Sequence, residues 1–154
     1  GTLVHDICAG ILQGFFPPEI PEEAEGYVDS FLIFKETYIK EIIAVEAEVV
    51  HPQWLYVGHI DFAGKVGAQH EAVVLDWKTP VTKSRSWQAQ CAAYLEATRI
   101  TFPGYEWKRA GTLQLDPKGG SPKMTWVERP AEAFHAFVSK LQADQYFRQN
   151  GGRK

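Results

Sequence analysis

Ala72-Val73-Val74-Leu75-Asp76-Trp77-Lys78-Thr79 is the stretch on which the fold turns. Val73, Val74 and Leu75 are apolar at consecutive positions, so the strand they predict is covered on both faces, as central strands of α/β sheets are. Pro80 closes it. Residues two apart in a strand share a face, so Asp76 and Lys78 point one way and Trp77 enters the opposite layer. Charge placed so near a core needs a reason, because burying it without partners is costly. A structural ion pair is one reason; a working site is the other.

Reading outward, two more strands precede this one. Ile42–Val50 is rich in β-branched residues, and Trp54–Ala63 follows after His51-Pro52-Gln53 as a hairpin connection. Gly64 and Gly67 frame the next turn. Before the strands, Thr2 caps a helix whose Leu3, Ile7, Ile11 and Phe15 form a predicted buried stripe, ended by Gly14 and Pro17-Pro18. A second helix starts near Pro21 and buries Ala24, Tyr27, Val28, Phe31 and Leu32. After the strands, Ser84 or Ser86 caps a helix over Trp87–Ile100, with Cys91, Leu95 and Thr98 along one side. Strands at Trp107–Leu115 and Met124–Val127 flank the turn Asp116-Pro117-Lys118-Gly119-Gly120. Pro130 opens a last helix with Phe134, Phe137, Val138 and Leu141 on one face. The order α-α-β-β-β-α-β-β-α predicts a three-layer α/β fold around a mixed sheet, without internal repeats.

The 154 residues fit one domain, expected over 1–148, with 149–154 a disordered tail. Gly1 rather than Met at the start is expected of a processed chain or a piece lacking an N-terminal segment. No apolar run reaches the ~18 residues a spanning helix needs, so no membrane partner is expected. Two cysteines, Cys8 and Cys91, build neither a disulfide framework nor a four-cysteine cluster, which fits a reducing, cytoplasmic setting. A net charge of −3 excludes a polycation that coats nucleic acid, but allows a local basic groove beside clustered carboxylates.

Three further polar features join Asp76 and Lys78. Asp61 lies in Gly58-His59-Ile60-Asp61, sharing a face with Val57 and His59, and Gly58 lets a backbone or ligand approach. Glu46 and Glu48 share one face of the first strand, where a solvated edge is the plain alternative. Carboxylates converging from neighbouring strands repel one another unless a cation sits among them. Gln90 and Tyr94, four apart on a helix, lie on one face as a hydrogen-bonding platform or as ordinary helix positions.

The order Glu46 … Gly58-x-x-Asp61 … Asp76-x-Lys78-Thr79 … Gln90-x-x-x-Tyr94, led by Gly1-Thr2-x-x-His5, resembles the RecB-like exonuclease branch of the PD-(D/E)xK nuclease superfamily. Ala44-Val45-Glu46, Tyr56-Val57-Gly58 and Asp76-Trp77-Lys78-Thr79 are similar to mitochondrial genome-maintenance exonucleases and their phage and bacterial relatives. The resemblance covers about Gly1 to Tyr94. It implies a restriction-endonuclease-like core and a metal-dependent deoxyribonuclease, an exonuclease acting on single-stranded DNA or free ends. Asp61, Asp76 and the Trp77 carbonyl would bind Mg²⁺ or Mn²⁺, hard ions that suit oxygen ligands. His5 would join them, as would Glu46, with Glu48 its competitor. Lys78 would position the attacking water, Gln90 would orient it, and Tyr94 would contact DNA. Lys83 and Arg85, before the Gln90 helix, are candidates for the DNA strand, with Lys108 and Arg109 behind them. Family members that hold an iron–sulfur cluster use four cysteines, so none is expected here. A catalytically silent nuclease-fold protein that only binds DNA is the alternative.

Overall fold

In a computed structural model, residues 2–80 and 82–151 are described. Gly1, at the head of the histidine motif, and the tail residues 152–154 lie outside that range. Helices α1 (Thr2–Leu12) and α2 (Glu22–Tyr38) come first, followed by strands β1 (Ile39–His51), β2 (Tyr56–Val66) and β3 (Glu71–Lys78). Helix α3 (Ser86–Thr101) leads to β4 (Trp107–Gln114), β5 (Lys123–Trp126) and α4 (Pro130–Gly151). The five strands form one sheet in the order β1-β2-β3-β4-β5. Only β3 and β4 run parallel, joined over α3; the other neighbours are antiparallel. No helix of the described residues is long and apolar enough to cross a membrane.

The sheet separates two cores. On one face α1 and α2 pack Val4, Cys8, Val28 and Phe31 against Val73, Leu75 and Trp77. On the other, α3 brings Cys91, Ala92 and Leu95 down onto Ile60, Val74 and Ala110, and α4 adds Phe134 and Phe137. This is the three-layer α/β arrangement around a mixed sheet. Trp77 meets Phe31 edge-on, ring centres 5.1 Å apart, so the residue between Asp76 and Lys78 anchors the layer opposite to theirs.

Two local expectations shift. The buried side of α1 carries Val4, Cys8, Ile11 and Leu12, while Leu3 and Phe15 are exposed. The helix stops at Leu12, so Phe15 never continues the stripe. Helix α4 runs through Gln149 to Gly151, beyond the point where order is expected to end.

The detail that matters most lies where β1 and β2 cross the middle of the sheet. Residues two apart in a strand should share a face. Yet Val45 packs with the α1–α2 core and Ala47 with the α3–α4 core, and the same holds for Phe62 and Ile60. Both strands therefore turn over at one level, the level of Glu46 and Asp61. The pairs Val45↔Phe62 and Ala47↔Ile60 keep a common register on either side, while Glu46 takes a left-handed φ of 47°. That conformation costs an ordinary residue about 1–2 kcal/mol. The β2–β3 ladder stops at the same level, at Phe62↔Leu75. Beyond it the Trp77 N–H donates to the Asp61 side chain, 2.7 Å from Oδ2. A carboxylate thus takes the place of a backbone acceptor, and the sheet opens at this point.

Candidate metal centre

The opening is where separate elements deliver their polar groups. His5 descends from α1 in one layer; its Nε2 lies 2.8 Å from the Trp77 carbonyl oxygen and 3.4 Å from Asp61 Oδ2. Asp76 stands on the adjoining strand, only 7% exposed. Ligand atoms of His5, Asp61 and Asp76 all lie within 4.8 Å of one another. From the opposite layer, Lys78 Nζ sits 2.8 Å from Asp76 Oδ2 and donates to Gln90 Oε1 of α3 at 3.1 Å. The indole of Trp87 lies beside the same ammonium, 5.3 Å from Nζ to the ring centre.

The electrostatics follow from two buried acids in contact, of which only Asp76 has the Lys78 amine. Burial, and then the hydrogen bond and charge of Asp61, push Asp76 up to about 7 against the opposing pull of Lys78. Burial also acts to raise Asp61, but hydrogen bonds from His5, Asp76 and the Trp77 N–H, with the charge of His5, hold it below its ordinary value. In effect Asp76 keeps the proton that the pair shares. The negative charge is felt in both layers. Burial first and then Asp61 push the Cys8 thiol to about 12, and burial followed by Asp76 does the same to Cys91. The Tyr94 phenol is raised by burial and then by Asp76 and Asp61.

The donor set fits a divalent ion. Two carboxylates and a carbonyl are hard oxygen ligands of the kind Mg²⁺ and Mn²⁺ take, and the imidazole tips the balance toward Mn²⁺. The Nε2 position of His5 faces both Trp77 O and Asp61 Oδ2, so a proton there occupies the ground a cation would take. Crowded acids that must share a proton lose that strain when a cation replaces it.

The expected residues divide. His5, Asp61, Asp76, the Trp77 carbonyl, Lys78 and Gln90 converge. Glu46 lies between Val45 and Ala47, whose partners Phe62 and Ile60 flank Asp61, but it is exposed and outside the His5–Asp61–Asp76 cluster; Glu48 is exposed opposite His59. The face they were expected to share is broken by the turnover at Glu46. Tyr94 packs its ring on Gly58 of β2: a β-carbon on that glycine would lie 2.8 Å from the Tyr94 ring. The close approach that Gly58 permits is by this ring. Lys83 and Arg85 are exposed in the segment before α3. Lys108 and Arg109 sit at the start of β4, level with the first residues of β3, and are paired to Glu106 and Glu71. They are therefore not part of the His5–Asp61–Asp76 cluster. Trp87 is the residue that periodicity misses; its place three residues before Gln90, at the helix entry facing Lys78, was its only signal.

Comparison with protein-family models and with curated proteins returns no match.

Proposed function

We propose that the protein is a divalent-metal-dependent nuclease that hydrolyses DNA phosphodiester bonds, working from a free end. The observation that carries this is the approach of His5, Asp61 and Asp76 within 4.8 Å, with an ammonium fixed beside them. DNA as the substrate, and exonuclease action, come from the likeness of the motif order to RecB-like nucleases. A cytoplasmic setting accompanies this reading, with Cys8 and Cys91 both free and buried.

A bound Mn²⁺ or Mg²⁺ would supply Lewis acidity to the phosphate and bring a water toward ionisation near neutral pH. The chain's own groups do the rest. Asp61 and Asp76 supply charge, and the Trp77 N–H holds the Asp61 carboxylate in place. Lys78 has three N–H donors; Asp76 and Gln90 engage two, which leaves one for an incoming water or phosphate oxygen. Gln90 and Trp87 keep that amine aimed at the opening in the sheet.

The test uses end-labelled linear DNA and circular single-stranded DNA with Mn²⁺, comparing the wild type with Lys78→Ala. Release of nucleotides from linear DNA only, lost in the variant, is the expected result. Intact linear DNA bound by a folded, Mn²⁺-loaded wild type would support a silent DNA-binding protein instead.

A further inference from the structure

Register carries a row of polar side chains away from the metal centre. Lys78 pairs with Gln114 in β4, and Gln114 with Lys123 in β5. Val74 and Ala110 pack into the α3–α4 core, so by alternation Lys78 and Gln114 lie on that side. Met124 and Trp126 pack into the other core, which leaves Lys123 and Thr125 on the α3 side as well. Two strand spacings of about 4.8 Å place Lys123 roughly 10 Å from Lys78 along the sheet.

Lys83, in the segment between β3 and α3, lines one cleft with Thr125, which lies two residues from Lys123 on the same side of β5. Its amine is drawn below the ordinary lysine value, by desolvation and then by the neighbouring Lys123, with Glu128 pulling the other way. Among the described residues neither lysine forms an ion pair with a carboxylate, whereas Lys108, Arg109, Arg99, Arg129 and Lys140 all do. That cleft, of about 490 Å³, is also walled by Gln88 and Glu128 and by Arg129 and Glu132, which pair with each other. Gln88 fixes the far wall, donating to the Trp126 carbonyl at 3.3 Å and accepting the Glu128 N–H at 3.1 Å.

The geometry points to a phosphate subsite formed by Lys83 and Lys123, reached from the metal centre along the row Lys78, Gln114, Lys123. Two neighbouring ammonium groups repel each other, and an oxyanion between them turns that repulsion into two charge-assisted hydrogen bonds. The occupant is a backbone phosphate of the DNA strand, about one or two nucleotides from the scissile bond. This inference takes its ligand from the nuclease reading, but its residues are separate from the metal centre.

The test measures binding of a fluorescently labelled single-stranded oligonucleotide by anisotropy in EDTA, at several salt concentrations. Three proteins are compared: wild type, Lys83→Gln/Lys123→Gln, and Lys40→Gln/Lys140→Gln, which changes net charge equally elsewhere. The subsite predicts that Kd rises about tenfold in the first double variant alone, with a salt slope shallower by about one. No change, an equal change in both double variants, or no binding by the wild type would each overturn it. Cleavage by the wild type in Mn²⁺ is scored separately. Binding that depends on Lys83 and Lys123 without cleavage would keep the subsite and remove the nuclease reading; cleavage with binding indifferent to both lysines would do the reverse.

Discussion

The two ends of β3 both place charge against the core, and they balance it differently. At the start of the strand Glu71 is matched by Arg109, whose guanidinium lies 3.8 Å over the Trp126 ring, and Glu106 is matched by Lys108. Each anion there has its own cation. At the other end, about 20 Å away along the strand, two buried carboxylates crowd each other: Lys78 pairs with Asp76 alone, and Asp61 is left to His5 and the Trp77 N–H. Paired charges stabilise a surface modestly and do nothing more. A surplus of carboxylate, held by backbone and packing that cannot relax, is what gives a site an appetite for cations.

The largest effect that can break this contrast is on cleavage. Asp76→Ala should lower the rate by about a thousandfold, the loss of several kcal/mol of charge stabilisation. Glu71→Ala, at the matched end, should leave the rate unchanged. Comparable losses in both variants would mean that the ends do not differ as described.

The next effect is on stability against pH in metal-free protein. Asp76 is raised from 3.8 to about 7, so the native state keeps a proton that the unfolded chain releases. Its contribution is complete below about 4 and is lost as pH rises toward 7. Asp61 is lowered and acts in the opposite sense, losing its contribution only as pH falls below its ordinary range. Thermal melts in EDTA should therefore give a lower Tm at pH 7 than at pH 5, and Asp76→Asn should flatten that slope. A Glu71→Gln protein should keep it.

How far the sequence foretells this contrast depends on the residue. The strand Val73–Lys78 was legible because consecutive apolar positions reveal cover on both faces, and two-residue alternation places Asp76 with Lys78 and apart from Trp77. The layer order followed from the order of elements. The turnover at Glu46 and Asp61 was not legible. Alternation is a property of regular strands, and a left-handed residue in mid-strand leaves no compositional trace when that residue is glutamate. For the same reason Glu46 and Glu48 read alike in the sequence although the fold treats them separately. Lys108 and Arg109 were open either as further candidate cations or as solvated surface, because a charge in a sequence does not announce its partner; in the fold they pair with Glu106 and Glu71.

Smaller effects sharpen the picture of the opening itself. Gly58→Ala forces a methyl group into the Tyr94 ring and should cost about 1–3 kcal/mol in chemical denaturation. An unchanged midpoint would mean that the ring is not seated on that glycine. Smallest of all, Glu46→Gly should raise stability by up to about 1 kcal/mol, because glycine adopts the left-handed φ without strain. Destabilisation would show that the Glu46 side chain holds the opening in some other way.

The surplus-charge end is tested most directly by diffraction from crystals soaked in Mn²⁺, with data collected at the manganese edge. The account predicts an anomalous peak among His5 Nε2, Asp61 Oδ2, Asp76 and the Trp77 carbonyl, absent from crystals of Asp76→Ala. A protein that takes up no manganese there at millimolar concentration, with Asp61 and Asp76 still sharing their proton, would contradict it.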